Sequence, residues 1–147
     1  MVYLGADHRG YGLKEKIKIH LKELGYSFED LGNNVLDPQD DYSDFALSVA
    51  KKVAENPDEN QGVLICGSGI GMVVAANKIK GVIAGQVFNE EGAKHAREVD
   101  NVNIISIAAD YTDLDMAKNI VKIWLETEFS GEERHKRRLD KIKAIES

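Results

Sequence analysis

The sequence is poor in cysteine, proline and aromatic residues, and it holds no long apolar run. Cys66 is the single cysteine among 147 residues, which excludes an internal disulfide. The opening "MVYLGADH" carries no basic region, signal core or cleavage site. Together these predict a reducing, cytoplasmic location. No stretch approaches the roughly 18 apolar residues of a membrane span, which argues against a membrane partner. An excess of positive charge is also missing. The net charge of −6 argues against a general nucleic-acid binder. Both prolines fall in polar connections, Pro38 in "NNVLDPQDDYS" and Pro57 in "ENPDENQ".

What is present reads as one domain over residues 1–147. Apolar residues make up 43% of the chain and charged ones 30%, enough for a single sizeable core. The charge is uneven: residues 131–147 carry a net +2 and the rest −8. The basic cluster "ERHKRR", Glu133 to Arg138, is too short for a nucleic-acid patch but suits a small anion such as a phosphate.

Five apolar segments alternate with helical patterns. "MVYLGA", "YSFEDLG", "GVLIC", "GVIAGQV" and "NVNIISIA" read as strands. Between and after them the apolar spacing predicts helices: Leu13 to Leu24, Phe45 to Val53, "GMVVAANKI", Glu90 to Glu98, and Thr112 to Glu126. A last amphipathic helix, about 132–145, has no following strand and is free to pack on the domain or on a partner subunit. This alternation implies a three-layer α/β/α sandwich around a five-stranded parallel, Rossmann-like sheet. In such sheets ligands bind beyond the carboxyl ends of the strands. Three polar segments are expected there: Asp7-His8-Arg9, Cys66-Gly67-Ser68-Gly69 and the Asp100–Asn103 region.

The segment "LICGSGIGM", Leu64 to Met72, is the most distinctive. Glycines 67, 69 and 71 permit backbone angles closed to other residues and let a ligand approach the main chain. A helix beginning near Gly69 or Ile70 points free amides back at the strand end, so the Cys66 thiol is expected to be acidified. It would then serve as a nucleophile, or as a base with the amides holding a neighbouring oxyanion. A lone cysteine at a strand end also suits a small buried hydrophobe. Likewise Asp7 suits a helix cap, Tyr42 simple packing and "RHKRR" a solvated helix face.

On "GADHRGYGLKEKI", "DYSDFA", "GVLICGSGIGMVVAANKIKGVIA" and "ERHKRRLDKI" the chain resembles, over nearly its whole length, the type B ribose-5-phosphate isomerases and the galactose-6-phosphate isomerase subunits. The resemblance implies metal-free and cofactor-free interconversion of ribose 5-phosphate and ribulose 5-phosphate through a cis-enediolate. It casts Cys66 as the base and the amides of Gly67, Gly69, Ile70 and Gly71 as the anion hole, with Ser68 on a sugar hydroxyl. Asp7 and Tyr42 would line the sugar site, along with Asp100 and Asn103, while His8, Arg134 and Arg138 would take the phosphate. It also implies a site between two subunits of a homodimer, or of a dimer of dimers.

The chain departs from the family pattern where that pattern reads His-Asn-Asp-Ala-Asn. Here Val99, Asp100, Asn101, Val102 and Asn103 stand instead, so the histidine that opens the sugar ring is missing. Asp110 replaces a phosphate-contacting arginine, and Glu133 a glycine. His95, one helical turn before Val99, is a candidate substitute. These departures leave open two other functions: isomerisation of a hexose or tetrose phosphate, and a non-catalytic sugar-phosphate-binding role.

Overall fold

A computed structural model describes residues 1–146. The five strands are β1 (Val2–Ala6), β2 (Phe28–Asp30), β3 (Gln61–Cys66), β4 (Ala84–Gln86) and β5 (Ile104–Ala108). All pair in parallel, in the order β2-β1-β3-β5-β4. The helices are α1 (Tyr11–Leu24), α2 (Tyr42–Ala54), α3 (Ile70–Ala76), α4 (Glu90–Glu98), α5 (Leu114–Glu126) and α6 (Glu133–Lys143).

Two apolar clusters make the three layers. Val2, Leu4, Val63, Ile65, Ile105 and Ile107 pack against Ile17 and Leu21 of α1, Ala93 of α4, and Ile120 and Trp124 of α5. On the other face Tyr3, Leu64, Cys66 and Ile104 meet Val49 and Val53 of α2 and Met72 of α3. The alternation of side chains along each strand produces this division. The expected sandwich and parallel sheet are therefore present, and no helix among the described residues is long and apolar enough to cross a membrane.

Several elements are shorter than their apolar patterns, β5 among them, which begins only at Ile104. β2 and β4 have three residues each, as the outer strands of the sheet. α3 stops at Ala76 because the Asn77 carboxamide turns to the main chain of Ala84, accepting from its amide at 2.8 Å and donating to its carbonyl at 2.9 Å. One helix charge is not on the surface. Lys14 is fully buried, and its ammonium lies 2.8 Å from Asp30 Oδ1 and donates to the Asn33 carbonyl. It ties α1 to the chain leaving β2.

Candidate active site

The site starts where β3 ends. Beyond Cys66 the chain turns through Gly67, Ser68 and Gly69 into α3. Of the three motif glycines only Gly69 has a left-handed backbone, with φ 76°. Its carbonyl accepts from Ser106 Oγ at 2.8 Å, and the Ser68 carbonyl accepts from Gln86 Nε2. Gly71 is needed for space rather than for its angles. A Cβ there would lie 2.5 Å from Tyr42 Cζ, so the first residue of α2 rests on the first turn of α3.

Cys66 is 5% exposed, and its Sγ accepts the Gly69 amide at 3.1 Å. Burial pushes the thiol above its ordinary value and the charge of Asp7 adds to this, while the amides of Gly69, Met72 and Ser68 offset it only in part. The expectation of an acidified thiol is thus reversed. The thiol is desolvated, and α3 has only seven residues with which to oppose that. Two amides of the expected anion hole already have partners: Gly69 holds Sγ, and Ile70 donates to Ser68 Oγ at 3.3 Å.

Asp7 and His8 follow β1 and stand beside this turn. One Asp7 oxygen accepts the amides of Arg9 and Gly10 at 3.0 and 3.1 Å, closing the turn before α1. The N-cap of α1 is Gly10 and has no side-chain cap, so Asp7 is not the expected helix cap. His8 Nδ1 lies 2.8 Å from Asp40 Oδ1, which also accepts the His8 amide at 3.0 Å. Burial opposes ionisation of Asp40, but hydrogen bonds from His8 and Asn33 outweigh it and hold the carboxyl below its ordinary value. Asp7, His8 and Asp40 bring ligand-type atoms within 4.8 Å of one another, yet these atoms already bond one another or the main chain.

The remaining expected site residues are on the opposite edge of the sheet. Asp100 and Asn103 precede β5, so in a parallel sheet they lie at its amino end, not beyond the carboxyl ends as expected. Asn103 is buried and its carboxamide serves the fold, accepting from the Ile83 amide and donating to the carbonyls of Gly81 and Pro57. Asp100 is exposed, with Oδ2 3.6 Å from His95 Nε2. Arg134 and Arg138 are exposed on α6, where Arg134 Nε donates to Glu132 at 2.9 Å. α6 follows the same amino edge. Just before it the Ser130 amide donates to the Glu98 carbonyl, and just after it Glu146 accepts the Gly81 amide.

Residues 2–142 match the family described as Ribose/Galactose Isomerase. The chain belongs to this family. It is 45% identical to a probable ribose-5-phosphate isomerase B of Mycoplasma genitalium over 142 residues, covering 96% of this chain and 92% of that protein. The crystal structure of ribose-5-phosphate isomerase B from Mycoplasma genitalium with bound ribulose-5-phosphate superposes with a TM-score of 0.96. It shows 43% identity and covers 99% of this chain and 95% of that one. Ribose-5-phosphate isomerase B of Clostridium thermocellum superposes with a TM-score of 0.93, at 40% identity and over 99% and 96% of the two chains.

In this ribose/galactose isomerase, one chain gathers Asp7, His8, Tyr42, Cys66, Ser68 and the turn amides, and leaves Asp100, Arg134 and Arg138 at the far edge. Three positions that shape the Cys66 side went unassigned from sequence: Asp40, Gln86 and Ser106. Ser106 had a signal, since it is the one polar residue in the apolar β5. Asp40 stood in an acidic loop where no carboxylate was distinguishable from its neighbours.

Proposed function

We propose that this isomerase interconverts ribose 5-phosphate and ribulose 5-phosphate with Cys66 as the base. The observation that carries the reading is the Cys66 thiol seated against the Gly69 amide beside Asp7 and His8, in a chain 45% identical to a probable ribose-5-phosphate isomerase B. The thiolate takes the proton from C2 of the open aldose, and the electron pair moves onto the carbonyl oxygen as an enediolate. The turn amides not held by Cys66 Sγ or Ser68 Oγ stabilise that oxyanion. O2 loses its proton, O1 gains one, and the thiol returns its proton to C1. Ser68 contacts a sugar hydroxyl, Asp7 and Tyr42 line the sugar, and His8 faces the phosphate. The scheme draws on no metal or cofactor.

Arg134 and Arg138 are four residues apart on one face of α6, as a phosphate clamp requires. They belong to the opposite edge, so the clamp comes from a second copy of the chain in a homodimer or a dimer of dimers. Residues 1–147 act as one sugar-phosphate isomerase domain with α6 packed on that partner. The buried, reduced thiol suits a cytoplasmic setting.

Proton exchange in deuterated water with a panel of aldose and ketose phosphates tests the reaction. Deuterium should enter at C1 of ribulose 5-phosphate and C2 of ribose 5-phosphate. Absence of exchange with every sugar phosphate would leave only a binding role.

Val99 favours a second reading, a tetrose or hexose phosphate as substrate. It caps α4 beside His95 and Asp100, where an imidazole suited to ring opening would otherwise stand. On the first reading, ribose 5-phosphate turnover is limited by its open form, and Val99→His speeds that direction roughly 10- to 100-fold. If an analogue unable to cyclise reacts no faster than ribose 5-phosphate, another residue opens the ring, with His95 first to examine. If a tetrose phosphate reacts far faster than both, the second reading holds.

A further inference from the structure

Arg9 and Asp110 form an ion pair that the isomerisation scheme does not use. Arg9 follows β1 and Asp110 follows β5, and β3 lies between those strands in the sheet. The arginine side chain therefore crosses the turn that carries the thiol. A Cβ built on Gly67 would lie 2.5 Å from Arg9 Nε and 2.6 Å from Cζ. Both ends of the strap are anchored to the site: the Asp110 amide donates to the Gly67 carbonyl at 3.1 Å, and the Arg9 amide to Asp7 Oδ1 at 3.0 Å.

The guanidinium has donors to spare. Nη2 holds Asp110, while Nε and Nη1 donate to no group among the described residues. The Arg9 side chain is 55% exposed and that of Asp110 34%. Of the other arginines, Arg134, Arg137 and Arg138 are on α6, and Arg97 is committed to Asn101 and the Val102 carbonyl. Among the described residues Arg9 is thus the only arginine at the carboxyl edge, next in sequence to His8.

We infer that Arg9, oriented by Asp110, binds the substrate phosphate from the Cys66 side of the site. This rests on the sugar-phosphate reading above. A planar guanidinium presents two donors to a phosphate in fixed geometry, which a lysine does not. Asp110 takes one N–H of Nη2 and balances the charge, so that the cation stays over the turn when no anion is bound. The other N–H of Nη2, with the neighbouring nitrogen beside it, forms the fork. Asp110 is a positioning residue, since it acts through Arg9.

Steady-state kinetics with ribose 5-phosphate, together with inhibition by inorganic phosphate, tests the assignment in Arg9→Ala, Arg9→Lys and the exchanged pair Arg9→Asp with Asp110→Arg. Arg9→Ala should raise KM about 10- to 100-fold and weaken phosphate inhibition by a similar factor, with a smaller change in kcat. Arg9→Lys should recover part of the loss, and the exchanged pair most of it. A KM and phosphate inhibition within about twofold of the parent in Arg9→Ala would overturn the assignment. So would a loss confined to kcat, which marks a strap that only shapes the turn. If Arg9→Ala does not fold, Arg9→Lys carries the same test, because losing the fork raises KM even with the charge retained. A parent protein that isomerises no sugar phosphate, yet binds inorganic phosphate through Arg9, would overturn the isomerase reading alone.

Discussion

Cys66→Ala should stop exchange of the substrate proton, lowering kcat by about 10²- to 10⁴-fold, the usual contribution of a positioned acid–base group. The change removes one sulfur from a buried site and leaves the turn amides, Asp7 and Tyr42 in place. Substrate binding, measured by calorimetry, should therefore stay close to that of the parent. Turnover near the parent rate would remove Cys66 from the mechanism. The raised thiol gives this prediction a pH signature. Burial favours the neutral thiol, so the thiolate is a minor species near neutrality and grows as pH rises. The value of kcat/KM should accordingly climb through the mildly alkaline range and level off only above the ordinary thiol range. An acidified thiol would instead give a profile already flat at neutral pH.

Much of the fold was legible because its signals are local. "GVLIC" is apolar on both faces, as a central parallel strand must be, and the helices show their buried stripes at every third or fourth residue. The Cys66 turn was legible for the same reason: nine consecutive residues carry the strand end, the glycines and the helix start. What escaped were relations between distant residues. Arg9 and Asp110 are 101 positions apart, and nothing in either neighbourhood announces the other. Lys14 falls on the buried stripe of α1, three and seven residues before Ile17 and Leu21, but the partners that let a charge sit there, Asp30 and the Asn33 carbonyl, are 16 and 19 positions away. The misplaced edge has a simpler cause. A segment before a parallel strand lies at that strand's amino end, so Asp100 and Asn103 belong opposite Cys66 whatever their chemistry.

That opposition makes mixing two defective variants informative. Cys66→Ala lacks the proposed base but keeps the α6 arginines. Arg134→Ala with Arg138→Ala keeps Cys66, but on the proposed scheme each change removes a charged hydrogen bond to phosphate, typically about 1.5–3 kcal/mol, or roughly 10- to 100-fold in affinity. At low substrate concentration both proteins should be nearly inactive. In a dimer whose site joins the carboxyl edge of one copy to α6 of the other, a hybrid has one site with both defects and one with neither. Random exchange of equal amounts makes about half the dimers hybrids with one sound site in two, so roughly a quarter of the parent activity should return. Gel filtration and mass spectrometry of the intact assembly establish that hybrids have formed. Verified hybrids with no recovered activity would place base and clamp in the same chain, and β3 and α6 would then have to bring opposite edges of one sheet to a single sugar phosphate.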